Sequence, residues 1–316
     1  MYGMDGKFNA NDVIKYNHHL ARLLGEEGIS VEYISADGDP KLLRAHRIIS
    51  GLSSEQYSEI PRTYTTNDET IVLPEYHAYI KENLIPTQDQ VHVVTKLRNN
   101  LIKDSCVLPM GTRMASSSDL EDLIQVHSKD KHKLTRPDLK PNDKMHFKSV
   151  LRVCNKLTID QLKKYVKRRE ATQMYLTCMN CIARSSLCKN LNIRERVYCM
   201  WYPLYFFRLW REWIMQHPVH NLTHNAITNN TYVCIELNGH CIIQMVLLAI
   251  ERNDFKTFYP WLIGSQSCES FFKVFRCDST VQSLIMNCTV LEGTKKIEKN
   301  STDARHISAR FQKRQN

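Results

Sequence analysis

The chain has 316 residues, of which 42% are apolar, 24% charged and 9% aromatic, so it is neither disordered, collagenous nor fibrous and can bury a core of one or two domains. Only 10 Gly and 10 Pro occur, which argues against a turn-rich all-β sandwich and for long helices. A formal net charge of +10 and an odd count of 11 cysteines point to reduced thiols in a cytosolic or nuclear protein with an anionic partner.

In chain order, Asn9 to Glu27 carries Val13, Ile14, Leu20, Leu23 and Leu24 at helical spacing, with Asn9 or Asn11 as the cap and Gly28 as the stop. Ile29, Val31, Tyr33 and Ile34 then read as a short strand that ends at Asp37, Gly38, Asp39 and Pro40. Lys41 to Ser50 is helical again, and the polar stretch from Ser53 to Glu69 is expected to be a loop. Asp89 caps a helix over Gln90 to Ile102, Ser116 to Ser128 is the next helix, and Lys129 to Asp143 reads as a linker. Helices follow at 143–154, 158–168, 170–187, 193–216 and 230–252. The helix over 193–216 holds Tyr198, Trp201, Tyr202, Tyr205, Phe206, Phe207, Trp210 and Trp213, more fitting for a core than for base stacking, and Pro203 should kink it. The apolar run Cys241 to Ile250 is too short to span a bilayer and is expected to be a core helix, so no membrane partner is implied. A last helix is expected from Ser267 to Arg276.

Basic charge is unevenly spread. Lys163 to Arg169 holds Lys163, Lys164, Lys167, Arg168 and Arg169. The segment from Lys295 to Asn316, with Lys295, Lys296, Arg310, Lys313 and Arg314 among its seven basic residues against two acidic ones, is expected to be a disordered tail. Both stretches suit phosphate backbones, and both also suit a solvated surface. Asp37 and Asp39 at a strand's carboxyl end offer oxygens to a hard cation, although Asp-Gly and Asp-Pro also mark plain turns. Glu269 lies on a helix whose other side carries Phe271, Val274 and Phe275; it could serve a metal, or simply pair with Lys273. Cys178 and Cys181, with Cys188 and Cys199, have zinc-like spacing inside a helical pattern where cysteine acts as a small hydrophobe, and His217, His220 and His224 follow a helix end. No phosphate-binding Gly-x-x-x-x-Gly-Lys loop occurs.

Three segments together resemble an RNase H-like cut-and-paste DNA transposase of eukaryotes, of the P-element type: Ser35-Ala-Asp-Gly-Asp39, Asp89-Gln-Val-His-Val-Val-Thr-Lys-Leu-Arg-Asn99, and Ser265-Gln-Ser-Cys-Glu-Ser-Phe-Phe-Lys-Val-Phe-Arg276. The resemblance implies that Asp37 is the second acid of a metal-binding triad, with Asp39 and Asp89 as secondary candidates, and Glu269 the third, in a signature where Ser267 replaces a frequent Asp. It implies DNA as partner, Lys96 and Arg98 among the contacts, Mg²⁺ as cofactor and a nuclear location. It also implies an α/β, mostly helical fold, with a partial RNase H-like half at 1–115, a helical insertion at 116–255, a returning segment at 256–290 and a basic tail at 291–316.

In such a fold the first Asp sits on a strand before the first helix, and only eight residues precede Asn9. The expectation is therefore an N-terminally truncated core with two of three carboxylates. Since phosphodiester cleavage by this class uses two Mg²⁺ about 3.5 to 4 Å apart, Asp37 and Glu269 alone should hold the ion weakly, and the chain alone should not be an active nuclease. The rival readings are a non-enzymatic helical interaction module built on the aromatic helix and a zinc-stabilised regulatory protein.

Overall fold

The computed structural model describes residues 8–51, 84–103, 105–140, 144–165, 169–255 and 258–264, and the backbone of 62–66 and 69–73. The chain divides into two units, Met1–Gly264 and Ser265–Asn316, and every described residue belongs to the first. The helix expected at Ser267 to Arg276, Glu269 and the basic tail all lie outside the described residues.

Helix α1 (Ala10–Glu26) begins at a capping box in which Asn9 accepts from the Asn11 and Asp12 amides and Asp12 accepts from Asn9 N. It buries Ala10 and Val13 against Ala45 of α2 (Pro40–Ile49), while Leu20, Leu23 and Leu24 remain 38–40% exposed. The apolar stripe read from periodicity is thus half covered by the described residues. Strand β1 (Tyr33–Ala36) runs parallel to β4 (Ile85–Gln88), and α2 lies in the crossover between them. Helix α3 (Gln90–Leu101) follows β4 directly.

The expected loop at 53–69 contains strand backbone instead: β2 (Arg62–Thr66) pairs antiparallel with β3 (Glu69–Leu73). Thr63, Tyr64, Thr65 and Thr66 are polar in composition but β-branched or aromatic in shape, and shape governs the strand preference. A second hairpin, β5 (Leu108–Met110) with β6 (Arg113–Ala115), turns through Gly111, whose φ of +60° suits glycine.

The rest is helical: α4 (Ser118–Val126), α5 (Lys129–His132), α6 (Arg136–Leu139), α7 (Phe147–Val153), α8 (Lys156–Tyr165), α9 (Glu170–Leu187), α10 (Ile193–Gln216), α11 (Leu222–Asn225) and α12 (Asn229–Glu251). The stretch expected to be a linker at 129–143 holds α5 and α6 and buries His132, Leu134, Asp138 and Leu139. Its anchor is the Asp138 carboxylate, which accepts Thr135 N, the Thr135 hydroxyl and the Arg152 guanidinium; these hydrogen bonds outweigh desolvation and hold its pKa below the usual carboxylate value.

One hydrophobic cluster runs from Leu43, Val93 and Leu97 through Leu176 and Met179 to Phe207 and Ile235. Residues on both sides of position 115, Ala115 and Leu120 among them, belong to this cluster. Helix α10 continues as a single span past Pro203 and buries Phe207 and Trp210, whereas Tyr198 and Tyr205 are 63% and 44% exposed. Helix α12 is long and apolar enough to cross a membrane by length and composition, unlike the shorter run expected from the sequence. In the fold it packs on β4 and α10, burying Glu236 and Asn238 with its apolar side chains.

Candidate functional site

The acidic turn at the end of β1 is shaped by backbone geometry. Gly38 has φ of +83°, a left-handed conformation that favours glycine, and the Lys96 ammonium lies close over it. Asp39 Oδ1 accepts from the Lys41 and Leu42 amides at 2.9 and 3.2 Å, capping α2. Asp37 Oδ1 accepts from Asp39 N at 3.1 Å, and the Asp37 side chain is exposed. The Lys96 ammonium donates to the carbonyls of Asp37 and Gly38 at 3.3 and 3.4 Å, which fastens the turn to α3.

The parallel register that pairs Ala36 with Gln88 brings Asp89 out beside Asp37, and Asp89 N donates to Ala36 O at 2.7 Å. Asp89 is buried and caps α3 through Val91 N at 2.7 Å. Gly264, the last described residue, lies against it: a Cβ there would meet Asp89 Oδ2 at 3.3 Å.

Beneath the turn, Asn238 of α12 acts as a substitute strand. Its Oδ1 accepts Gln88 N at 2.7 Å and the Thr87 hydroxyl at 3.0 Å, and its Nδ2 donates to Gln88 O at 2.9 Å. These bonds satisfy the β4 edge that faces away from β1. Gln88 Nε2 in turn donates to His46 Nδ1 at 2.7 Å. Burial pushes the His46 pKa down to about 4, against a hydrogen bond to the Thr87 backbone that favours the charged form, so the ring is neutral. Burial raises the Cys234 thiol to about 11, opposed by Lys96 and reinforced by Asp37.

The structure thus brings Asp37, Asp39, Asp89 and Lys96 to one end of the two-stranded sheet. These donors do not make a Mg²⁺ site by themselves. Asp39 and Asp89 cap helices, Lys96 already supplies a positive charge to the turn, and no group of three or more His, Cys, Asp or Glu with metal-ligand geometry occurs among the described residues. What the described site offers is one exposed carboxylate with an adjacent ammonium.

The expected basic contacts divide sharply. Arg98 is fully buried, its guanidinium donating to the carbonyls of Asp138 and Lys144, so it braces α3 and cannot reach a phosphate. Lys96 is tied to the turn. Arg169 pairs with Asp119 and Asp122 at 2.7 and 2.9 Å. Lys163 and Lys164 are exposed at the end of α8. Lys167, Arg168, Lys295, Lys296, Arg310, Lys313 and Arg314 lie outside the described residues. Cys178 is buried in α9 and its thiol is raised by burial; Cys181 faces Cys199 across the α9–α10 hairpin, and His217 stacks on His220 at 4.2 Å.

No protein-family model matches the chain, and no curated protein sequence does either. The fold is mostly helical around a small β-α-β core. Among solved structures, the chain is similar to the Drosophila P element transposase strand transfer complex, with a TM-score of 0.63 and 12% identity over 94% of this chain. It spans 64% of that chain's length.

Proposed function

We propose that the chain is a transposable-element-derived, transposase-like protein that binds DNA through its basic surfaces, acts in the nucleus and does not cut DNA on its own. The observation that carries this reading is the structural likeness across 94% of the chain, combined with the placement of Asp37 where a strand of the β-α-β core ends. Functional side chains in α/β folds gather at such carboxyl ends.

The reading of incomplete chemistry follows from the donors. Two-metal phosphoryl transfer needs carboxylates that bridge and flank both ions. Asp37 supplies one exposed carboxylate, which alone would hold Mg²⁺ only loosely. The test is incubation of the full chain with labelled duplex DNA in Mg²⁺ or Mn²⁺, scored for retention and for products. Retention without cleavage or strand transfer is expected. Cleavage that is lost in Asp37→Asn would overturn the inactive reading, and absence of retention at low salt would overturn the DNA-binding one.

A further inference from the structure

Two basic stretches that are separate in sequence meet in the fold. Helix α8 packs on α4 and α5, and the Thr158 hydroxyl of α8 donates to His132 O at 3.1 Å. α5 and α8 are thereby neighbours, and Lys131 of α5 and Lys164 at the close of α8 both act on the same two rings, His127 and Tyr165. Lys129, Lys131, Lys133, Lys163 and Lys164 are all exposed there, against Asp130 and Asp160 on the same two helices.

An aromatic pair stands among them. Tyr165 is 37% exposed, its ring meets His127 edge-on at 4.0 Å between centroids, and Lys164 Nζ lies 5.0 Å from its centroid. Lys164 and Lys131 both draw the Tyr165 phenol below its ordinary pKa; His127 is lowered by desolvation and by the same two lysines with His132. The lysines are therefore electrostatically in reach of both rings.

We infer that this patch, built from the α4–α5 junction and the end of α8, binds single-stranded nucleic acid, with the lysines on phosphates and Tyr165 stacking a base. The assignment rests on the DNA-binding reading and deepens it by naming the strand state and the residues. Lysines alone would suit any polyanion. Tyr165, 37% exposed beside the partly buried His127, adds an aromatic ring among them, the kind of face on which unpaired bases stack and which a closed duplex does not use. Only part of the patch shows in sequence as the run Lys163 to Arg169; Lys131 and His127 join it through tertiary packing.

The test is fluorescence anisotropy of labelled oligothymidylate and of a duplex with the full chain across a salt series. Lys131→Ala/Lys164→Ala is expected to weaken oligothymidylate binding about tenfold and to reduce the magnitude of the salt slope by about 1.4, the change for two phosphate contacts on a single strand. Tyr165→Leu is expected to weaken oligothymidylate about tenfold, with duplex affinity and salt slope little changed. Lys15→Ala/Lys189→Ala removes two exposed charges elsewhere and controls for net charge. An unchanged Lys131/Lys164 variant, or equal loss in the control, overturns the patch while leaving DNA binding intact. Failure of the unsubstituted chain to bind any of these probes overturns both.

Discussion

Replacing Asn238 by Leu removes a side chain whose three hydrogen bonds close the free edge of β4. The Thr87 hydroxyl can rotate toward another acceptor, but Gln88 N–H and C=O are fixed in the strand, and Gln88 is 1% exposed. Leaving two backbone groups unpaired and dry costs about 1–3 kcal/mol each, and the leucine returns about 1–2 kcal/mol of apolar burial. The net expectation is a loss of about 3 kcal/mol in urea unfolding, with an unchanged slope. Hydrogen exchange adds a local readout, because the Gln88 amide should lose protection more than amides of α9. A loss below about 1 kcal/mol, or an unaltered Gln88 exchange rate, would refute the view that α12 substitutes for a strand here.

Four further outcomes follow. His46 has its folded pKa depressed to about 4, so its contribution to stability is present above the unfolded value near 6.5 and is lost as pH falls toward 4, at up to about 1.4 kcal/mol per pH unit; His46→Gln should flatten that part of the urea-unfolding pH profile. Arg208 and Glu236 form a bidentate buried pair at 2.7 and 2.6 Å, with Tyr232 OH donating to the same carboxylate at 2.6 Å; Arg208→Met should cost about 3–5 kcal/mol, and Arg208→Met/Glu236→Leu should recover most of it in thermal or urea unfolding. Gly38→Ala should cost about 1–2 kcal/mol through φ strain, with the Lys96 ammonium swinging aside, so that adding Lys96→Met should recover little of the loss. Deleting Lys295 to Asn316 should weaken DNA binding and flatten its salt dependence while leaving the unfolding midpoint unchanged.

The long helices were legible because their cores are periodic over many turns: the sequence bounds for α9 and α10 coincide with those of the structure, and the ends of α12 differ by one residue. Asp89 and Asn9 were legible as caps because capping is a local rule. The β2–β3 hairpin was hidden by its polar threonines, and α5 and α6 by prolines and lysines that mask a few buried anchors such as Asp138. Of the acidic site, Asp37 at a strand end followed from the sequence. The strand-like role of Asn238, the binding of Lys96 to the Asp37 turn and the burial of Arg98 did not, because each depends on a partner tens of residues away. No periodicity distinguishes an arginine that braces a core from one that meets a phosphate.

The most direct test of the account is the affinity of the full chain for duplex DNA across a salt series. Five or more phosphate contacts give a slope of log K against log salt of about −4 or steeper, and that is the result expected. Measurable affinity with a flat slope, or no binding at about 50 mM salt, would contradict a transposase-like protein that holds DNA through its basic surfaces.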